Sequence, residues 1–368
     1  MKKFFVSGLM VMSIGCLGAQ QLKIITSETE MYQFGGQQAF ALSDNGRYVV
    51  GSTMTSHCFI YDSENESTVV FTEERGSSVS TSGGELRAVN NEGVAVGFDD
   101  NGGIMVNAEG VYNIIEPAAG LIKMVMCYDI TDDSKLIVGS VADASWAEVP
   151  CYWEDGKRIM LPYPTTEEAG FRVNGCRAIS VSDDGSVIMG EIIDRSQMLP
   201  LLIWKRQADG SYKYFNAWEK YYEPVYNPVY DDDKLVGFEK GDHPYLRFEP
   251  GAMSADGKTM AMYIYENVDD LNPPLLLGYY DIETEEVTVV PVENHAFFDY
   301  YGTFIIRGVS NEGTIFGTAG ALALGTQPFI MYRDEMIPKS LEEAFPEVGE
   351  FQTFYDTMLE GMPSNIVS

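Results

Sequence analysis

Residues 177–192 read RAISVSDDGSVIMGEI, and this stretch decides the fold. Arg177 to Val181 has the apolar content of a short strand. Ser182-Asp183-Asp184-Gly185 is a tight turn, since Asp tolerates positive φ and Gly adopts it freely. Val187 to Ile192 returns as a second strand with Gly190 inside it. Further on, Pro200-Leu201-Leu202-Ile203-Trp204 reads as a third strand, Ala208-Asp209-Gly210 as a turn, and Tyr212 to Phe215 as a fourth. The block is a four-stranded antiparallel meander.

The same order recurs along the chain. Five further turns occur at Ser43-Asp44-Asn45-Gly46, Asn90-Asn91-Glu92-Gly93, Thr131-Asp132-Asp133-Ser134, Ser254-Ala255-Asp256-Gly257 and Ser310-Asn311-Glu312-Gly313. The fourth turn positions are separated by 47, 41, 51, 72 and 56 residues. Repeats of roughly 40 to 50 residues with four strands each are the β-propeller period. Each turn is followed by an interior glycine, at Gly51, Gly97, Gly139, Gly190 and Gly317, with Met262 in its place in the fifth copy. An interior strand glycine marks a bulge or a close backbone approach, as where neighbouring sheets crowd together. Next comes an apolar strand ending in an aromatic in five copies: Tyr61, Trp153, Trp204, Tyr280 and Tyr332. Those rings are expected to fill the space between adjacent blades. Six unrelated hairpins in a sandwich would not share a turn, a glycine and an aromatic in fixed order. The expected fold class is therefore all-β, a β-propeller of four-stranded antiparallel blades.

The pattern A-[IV]-S-x-D-G-x-x-[VI]-x-G, followed by P-x-x-W and another turn, resembles the extracellular HAF-repeat β-propeller proteins of bacteria. The resemblance covers nearly all of residues 38–368; Ser134 and Met262 depart from it. It implies a secreted propeller and brings no catalytic residues with it. Gln21 to Ser27 reads as a strand ahead of the first blade, of the kind that supplies the outer strand of a last blade. Val367-Ser368 aligns with Leu42-Ser43, so the chain reads as a seven-bladed parent with an incomplete last blade; a closed six-bladed ring is the alternative. Ser340-Leu341-Glu342-Glu343 fits a capping box, and residues 340–360 are expected to form a small helical insertion.

Lys2-Lys3, an apolar stretch from Phe4 to Leu17, and Gly18-Ala19-Gln20 have the layout of a signal peptide cleaved after Ala19. Residues 20–368 then form a single propeller domain. Ser13-Ile14-Gly15-Cys16 matches a lipoprotein box poorly, so a lipid anchor at Cys16 is the less favoured reading. No later apolar run approaches the roughly 18 residues of a membrane span. The formal net charge of −31 repels nucleic acid and anionic membranes. It suits solubility outside the cell, or a basic partner. Cys58, Cys127, Cys151 and Cys176 remain after cleavage; four cysteines allow three pairings, and buried thiols are the favoured reading.

In a four-stranded meander the Asp/Gly turns share one face, while the loops between strands two and three share the other with the blade connections. The latter are read as long and varied, at 140–149, 191–199, 263–273, 318–327 and the inter-blade insertion 216–250. Variable loops on a rigid scaffold carry binding. The insertion holds Trp218, Tyr221, Tyr222, Tyr226 and Tyr230, and Trp146 lies in another loop of that face. Aromatics beside carboxylates suit sugar or peptide ligands. These six are the ligand-binding candidates, set against the plainer role of packing the insertion onto the propeller. No cofactor is expected. Asp231-Asp232-Asp233, Asp269-Asp270 and Asp99-Asp100 are the candidates for calcium, but none has the spacing of a calcium loop, and solvated loop acids are the favoured reading. There is no GxSxG or HExxH, and the three histidines are scattered. The expected function is an exported, noncatalytic binding or scaffold module, at the cell surface or in the periplasm, for a glycan or protein ligand. A carbohydrate-active enzyme, glycoside hydrolase or lyase, is the alternative, and an envelope assembly component a third reading.

Overall fold

The repeated turns close as their spacing requires. In all six, the fourth residue donates its backbone N–H to the carbonyl of the first, at 2.8–3.1 Å. That fourth residue has a positive φ, between 67° and 83° in the five glycines and 59° at Ser134. The third copy thus departs from the pattern in residue type and keeps the same backbone conformation.

The computed structural model describes residues 9–11, 23–25, 37–53, 57–71, 84–120, 122–169, 172–193, 200–216, 228–231, 234–238, 245–266, 275–295, 304–321 and 325–346. Strands β1 (Leu9–Val11) and β2 (Lys23–Ile25) form an antiparallel pair. The strand expected at Gln21–Ser27 is therefore β2, and it pairs with β1 rather than with a blade. Six four-stranded meanders follow. The first is β3 (Gln37–Leu42), β4 (Tyr48–Thr53), β5 (Cys58–Asp62) and β6 (Ser67–Val70). The second is β7 (Glu85–Val89), β8 (Val94–Asp99), β9 (Gly102–Asn107) and β10 (Tyr112–Pro117). The third is β11 (Met124–Ile130), β12 (Leu136–Ala142), β13 (Glu148–Glu154) and β14 (Lys157–Met160). After the one-turn helix α1 (Thr166–Ala169) come β15 (Gly175–Val181), β16 (Val187–Ile193), β17 (Leu201–Arg206) and β18 (Tyr212–Asn216). A separate hairpin, β19 (Pro228–Asp231) and β20 (Lys234–Phe238), precedes the fifth sheet, β21 (Tyr245–Met253), β22 (Thr259–Glu266), β23 (Leu275–Asp281) and β24 (Glu286–Val289). The sixth is β25 (Phe304–Val309), β26 (Ile315–Ala321), β27 (Gly325–Met331) and β28 (Lys339–Ser340), and the one-turn helix α2 (Leu341–Ala344) follows it. These six antiparallel sheets are the blades of a β-propeller.

Two compact units divide the chain, one holding residues 1–120, 124–134 and 341–368, the other 121–123 and 135–340. In the first, Tyr48, Ile60, Phe71, Leu86 and Ile104 form a buried core between blades one and two. In the second, Ile188, Trp204, Phe248, Met260 and Tyr280 pack blade four on blade five. Tyr279, Phe304, Ile306 and Phe329 pack blade five on blade six. Two of the third-strand aromatics, Trp204 and Tyr280, fill the space between blades four and five, whereas Tyr61 packs within its own blade and Tyr332 is half-buried. Trp204 is fully buried, and its indole Nε1 donates to the carbonyl of Pro162, on the connection between blades three and four, at 2.6 Å. All four cysteines are buried thiols.

The interior glycines have a more local cause than crowding between sheets. Gly51, Gly97, Gly190 and Gly317 each face a bulge in the first strand of their own blade. A Cβ on Gly97, Gly190 or Gly317 would lie 1.8–2.2 Å from the carbonyl oxygen of Glu85, Arg177 or Ile305, respectively. The register shifts next to those residues, between Leu86 and Ala88, Ala178 and Ser180, and Ile306 and Gly308. In blade five, where Met262 replaces the glycine, the bulge lies between Pro250 and Ala252. There the small residue moves across the pair: a Cβ on Gly251 would sit 2.7 Å from the Ala261 carbonyl.

Of the helical insertion expected at 340–360, the described part holds one helical turn, Leu341–Ala344; residues beyond 346, including the expected start of a seventh blade at 362–368, lie outside the described residues. Two boundaries differ from the expectations. The insertion at 216–250 is shorter, because 245–250 already belong to β21. The loop at 318–327 is largely paired strand, with register continuing to Ala321↔Gly325.

Candidate functional site

Three groups of polar or aromatic side chains stand out, and the first is structural. At the motif turns, the first residue and the third make a fixed ring of bonds. Ser182 Oγ donates to Asp184 at 2.8 Å and accepts the Val187 N–H at 3.0 Å, while Asp184 accepts the Ser186 N–H at 2.8 Å. Ser43 with Asn45 and Ser254 with Asp256 repeat it. The second residue reaches the neighbouring blade. Within the first unit, Asn91 accepts the Asn45 N–H at 2.8 Å and donates its amide to Asp132 at 2.8 Å, and Asp132 also accepts the Asn91 N–H at 2.9 Å. Within the second unit, Asn311 accepts the Asp256 N–H at 3.0 Å, and the Asp183 N–H donates to the backbone carbonyl of Ala255 at 2.8 Å. The motif acids thus cap turns and tie blades together.

The opposite end of blade three carries the second group. Strands β12 and β13 stay paired to Ala142↔Glu148, leaving a five-residue loop, 143–147. Asp143 shapes it: its carboxylate accepts the Ser145 N–H at 2.7 Å and the Ser145 hydroxyl at 2.5 Å, and its carbonyl accepts the Trp146 N–H at 3.1 Å. The Ser145 bonds hold the Asp143 carboxyl below its ordinary range. Trp146 sits at the tip with φ 62° and 68% of its surface exposed, the most exposed large hydrophobic among the described residues. Left-handed backbone costs a non-glycine residue roughly 1–2 kcal/mol, so the loop presents an indole at some expense to itself.

The third group is a charged cluster in the second unit. Arg177 on β15 pairs with Glu191 on β16 and lies 3.7 Å from Glu148 on β13, whose other oxygen accepts the Ser140 hydroxyl at 2.6 Å. Glu191 is 7% exposed; burial pushes its carboxyl above the ordinary range, against the pull of Arg177 and with the help of Glu148 and Glu249. On β21, Arg247 pairs with Glu249 at 2.7 Å and stacks over the Tyr265 ring at 3.6 Å, and the Tyr265 hydroxyl reaches Glu249 at 3.3 Å. Burial, with the nearby Glu191 and Glu148 charges, also drives the adjacent Cys176 thiol well above its ordinary range. Sequence reading missed this cluster. Its one local signal is the alternation of Arg177 and Glu191 with apolar neighbours, which does not reveal that strands from three blades meet there.

Of the six binding candidates, the structure describes Trp146 in full. Trp218, Tyr221, Tyr222 and Tyr226 lie outside the described residues, and Tyr230 is placed on β19 with its side chain undescribed. In the acidic runs that are calcium candidates, Asp99 accepts the Asn101 N–H at 2.7 Å and the Tyr112 hydroxyl at 2.6 Å, as a hairpin cap. Asp231 is on β19, and Asp232, Asp233, Asp269 and Asp270 lie outside the described residues. Among the described residues no group of three or more His, Cys, Asp or Glu is placed to hold a metal, and no helix is long and apolar enough to cross a membrane.

No protein-family model matches the chain, and no curated protein matches it. Among solved structures it is similar to TolB from Acinetobacter baumannii, at 12% identity and a TM-score of 0.43, over 86% of this chain and 56% of that one. It is similar also to the β-propeller domain of Cps50 (Swd1) from Myceliophteria thermophila, at 9% identity and 0.46, over 84% and 86%. The tricorn protease aligns at 13% identity and 0.47, over 88% of this chain and 31% of that one. The chain thus spans little over half of the TolB structure and a third of the protease. Likenesses this distant leave its activity to be argued from its own residues.

Proposed function

We propose that this chain is an exported propeller that binds a protein or glycan ligand without transforming it, at the cell surface or in the periplasm, and that it belongs with the HAF-repeat propellers whose motif it carries. The observation that carries the binding reading is Trp146. Its large ring, two-thirds exposed, is carried by a left-handed residue in a loop that two Ser145–Asp143 bonds and the Trp146 N–H bond to the Asp143 carbonyl hold in shape, on a hairpin anchored in a buried sheet. The left-handed turn itself matches the one at Ser134, so what stands out is the residue placed there: a turn of this kind needs no indole, and this one leaves it in solvent. Support for a noncatalytic role comes from the carboxylates: the motif acids cap turns, and Glu148 and Glu191 are both turned onto Arg177. A glycosidase would direct such a pair at a sugar. Support for export is the charged and apolar leader of residues 2–19.

The test is a glycan and peptide array probed with the wild type and with Trp146→Gly. Glycine accepts the φ of 62° without strain, so this variant should melt at or slightly above the wild-type temperature while losing its array ligands. Unchanged array binding would remove Trp146 as the binding element. Mass measurement of the mature protein from cells tests export; an uncleaved N-terminus would overturn it.

A further inference from the structure

We infer that the Asp143–Trp146 loop takes a cationic side chain, lysine or arginine, presented by a basic protein segment. This deepens the binding reading above and rests on it. An exposed indole by itself serves a sugar as well as a cation. Three features of this loop and chain select the cation. The first is that the ring shares one five-residue turn with a carboxylate, three residues away and joined to it by the Trp146 N–H bond to the Asp143 carbonyl at 3.1 Å. An ammonium or guanidinium over an indole face is held by the ring quadrupole, and an adjacent carboxylate adds a direct charge partner.

The second feature is that this carboxylate stays ionised. The Ser145 N–H and hydroxyl both donate to Asp143 Oδ1, which fixes the side chain and favours its charged form, and the other oxygen, Oδ2, takes no part in these two bonds. Glu148, at the base of the same hairpin, is instead directed to Ser140 and Arg177, so the charge at the tip comes from Asp143. The third is the field of the whole chain. A net charge of −31 attracts basic segments over a Debye length and repels acidic ones, setting encounter rate and partner choice before contact is made. A neutral glycan could hydrogen-bond the fixed carboxylate through a hydroxyl, but it would gain nothing from the field and would offer the indole face no charge.

The experiment measures fluorescence anisotropy of labelled peptides on the full chain. An octapeptide alternating lysine and glycine is compared with its Nε-acetylated form and with a glutamate-for-lysine form, at low and at physiological salt. The wild type should bind the lysine peptide at least about fivefold more tightly than the acetylated one. Trp146→Ala and Asp143→Asn should each weaken it about two- to fivefold, the range of an exposed cation–π or single-charge contact. Asn keeps the turn acceptor, so Asp143→Asn should melt with the wild type. Lysine-peptide binding that is identical in wild type and Trp146→Ala would overturn the inference, because it would come from the general acidic field alone. Trp146-dependent binding of neutral glycans or of the acetylated peptide would overturn the cation assignment while leaving the binding reading standing. No Trp146-dependent ligand of any class would sink both.

Discussion

Replacing Gly190 by alanine probes the packing rule inside a blade. Gly190 pairs with Ala178 across β15 and β16, beside the bulge between Ala178 and Ser180. An added Cβ would stand 2.2 Å from the Arg177 carbonyl oxygen and 2.6 Å and 2.9 Å from two atoms of the Trp204 ring. Carbon-to-oxygen contacts close below about 3.2 Å, so the two strands must part by about 1 Å there. The carbonyl cannot yield alone, because Arg177 is tied to Glu191 and Glu148. Overpacking of this kind costs about 1–3 kcal/mol, and the lower entropy of the unfolded alanine chain returns about 0.4–1 kcal/mol. At the middle of both ranges the net loss is about 1.3 kcal/mol, or roughly 3–5 °C in the melting temperature for a unit of this size. Urea and thermal unfolding followed by circular dichroism measure it. Gly156→Ala is the control, since that glycine has φ 70° and nothing within 4 Å of its Cβ position; it should lose only the strain, about 1 kcal/mol. A Gly190→Ala protein within about 0.5 kcal/mol of wild type would refute the bulge argument. Recovery of stability by adding Trp204→Phe would show that the ring, not the carbonyl, demands the glycine.

Two further outcomes are expected. Asn91→Leu removes the acceptor of the Asn45 N–H and the amide bonded to Asp132, at 2.8 Å each, and should destabilise the first unit by about 1–2 kcal/mol in urea unfolding; a neutral result would mean that water replaces both bonds. Asp62 titrates at about 2, below the ordinary 3.8: burial works to raise it, and Arg47 with the N–H groups of Glu64 and Asn65 more than offsets that. A depressed carboxyl stabilises the fold above its unfolded pKa and loses that contribution as pH falls from about 4 to about 2. The melting temperatures of wild type and Asp62→Asn should therefore converge in that window, and curves that run parallel from pH 5 to pH 2 would contradict the pairing.

The repeat itself, Ser-x-Asp-Gly with its later glycine and aromatic, determined the turns, the strand order and the six blades, because positive φ, strand alternation and tight-turn hydrogen bonds are properties of a few consecutive residues. Ser134 shows how far that locality goes: the residue changes and the backbone does not. Trp146 too was legible, as an aromatic in a loop on the face away from the turns. The rest depends on partners far along the chain. That Gly190 answers a bulge at Arg177, or that blade five moves its glycine from position 262 to Gly251, follows from strand register, which neither strand carries alone. That Asn91 joins Asn45 to Asp132 needs three turns brought side by side. The pairing of Arg177 with Glu191 and Glu148 needs strands of two blades, and the charge state of Glu191 follows from the burial they create. Local sequence sets conformation; only packing decides which polar groups are deprived of water, and therefore which must find one another.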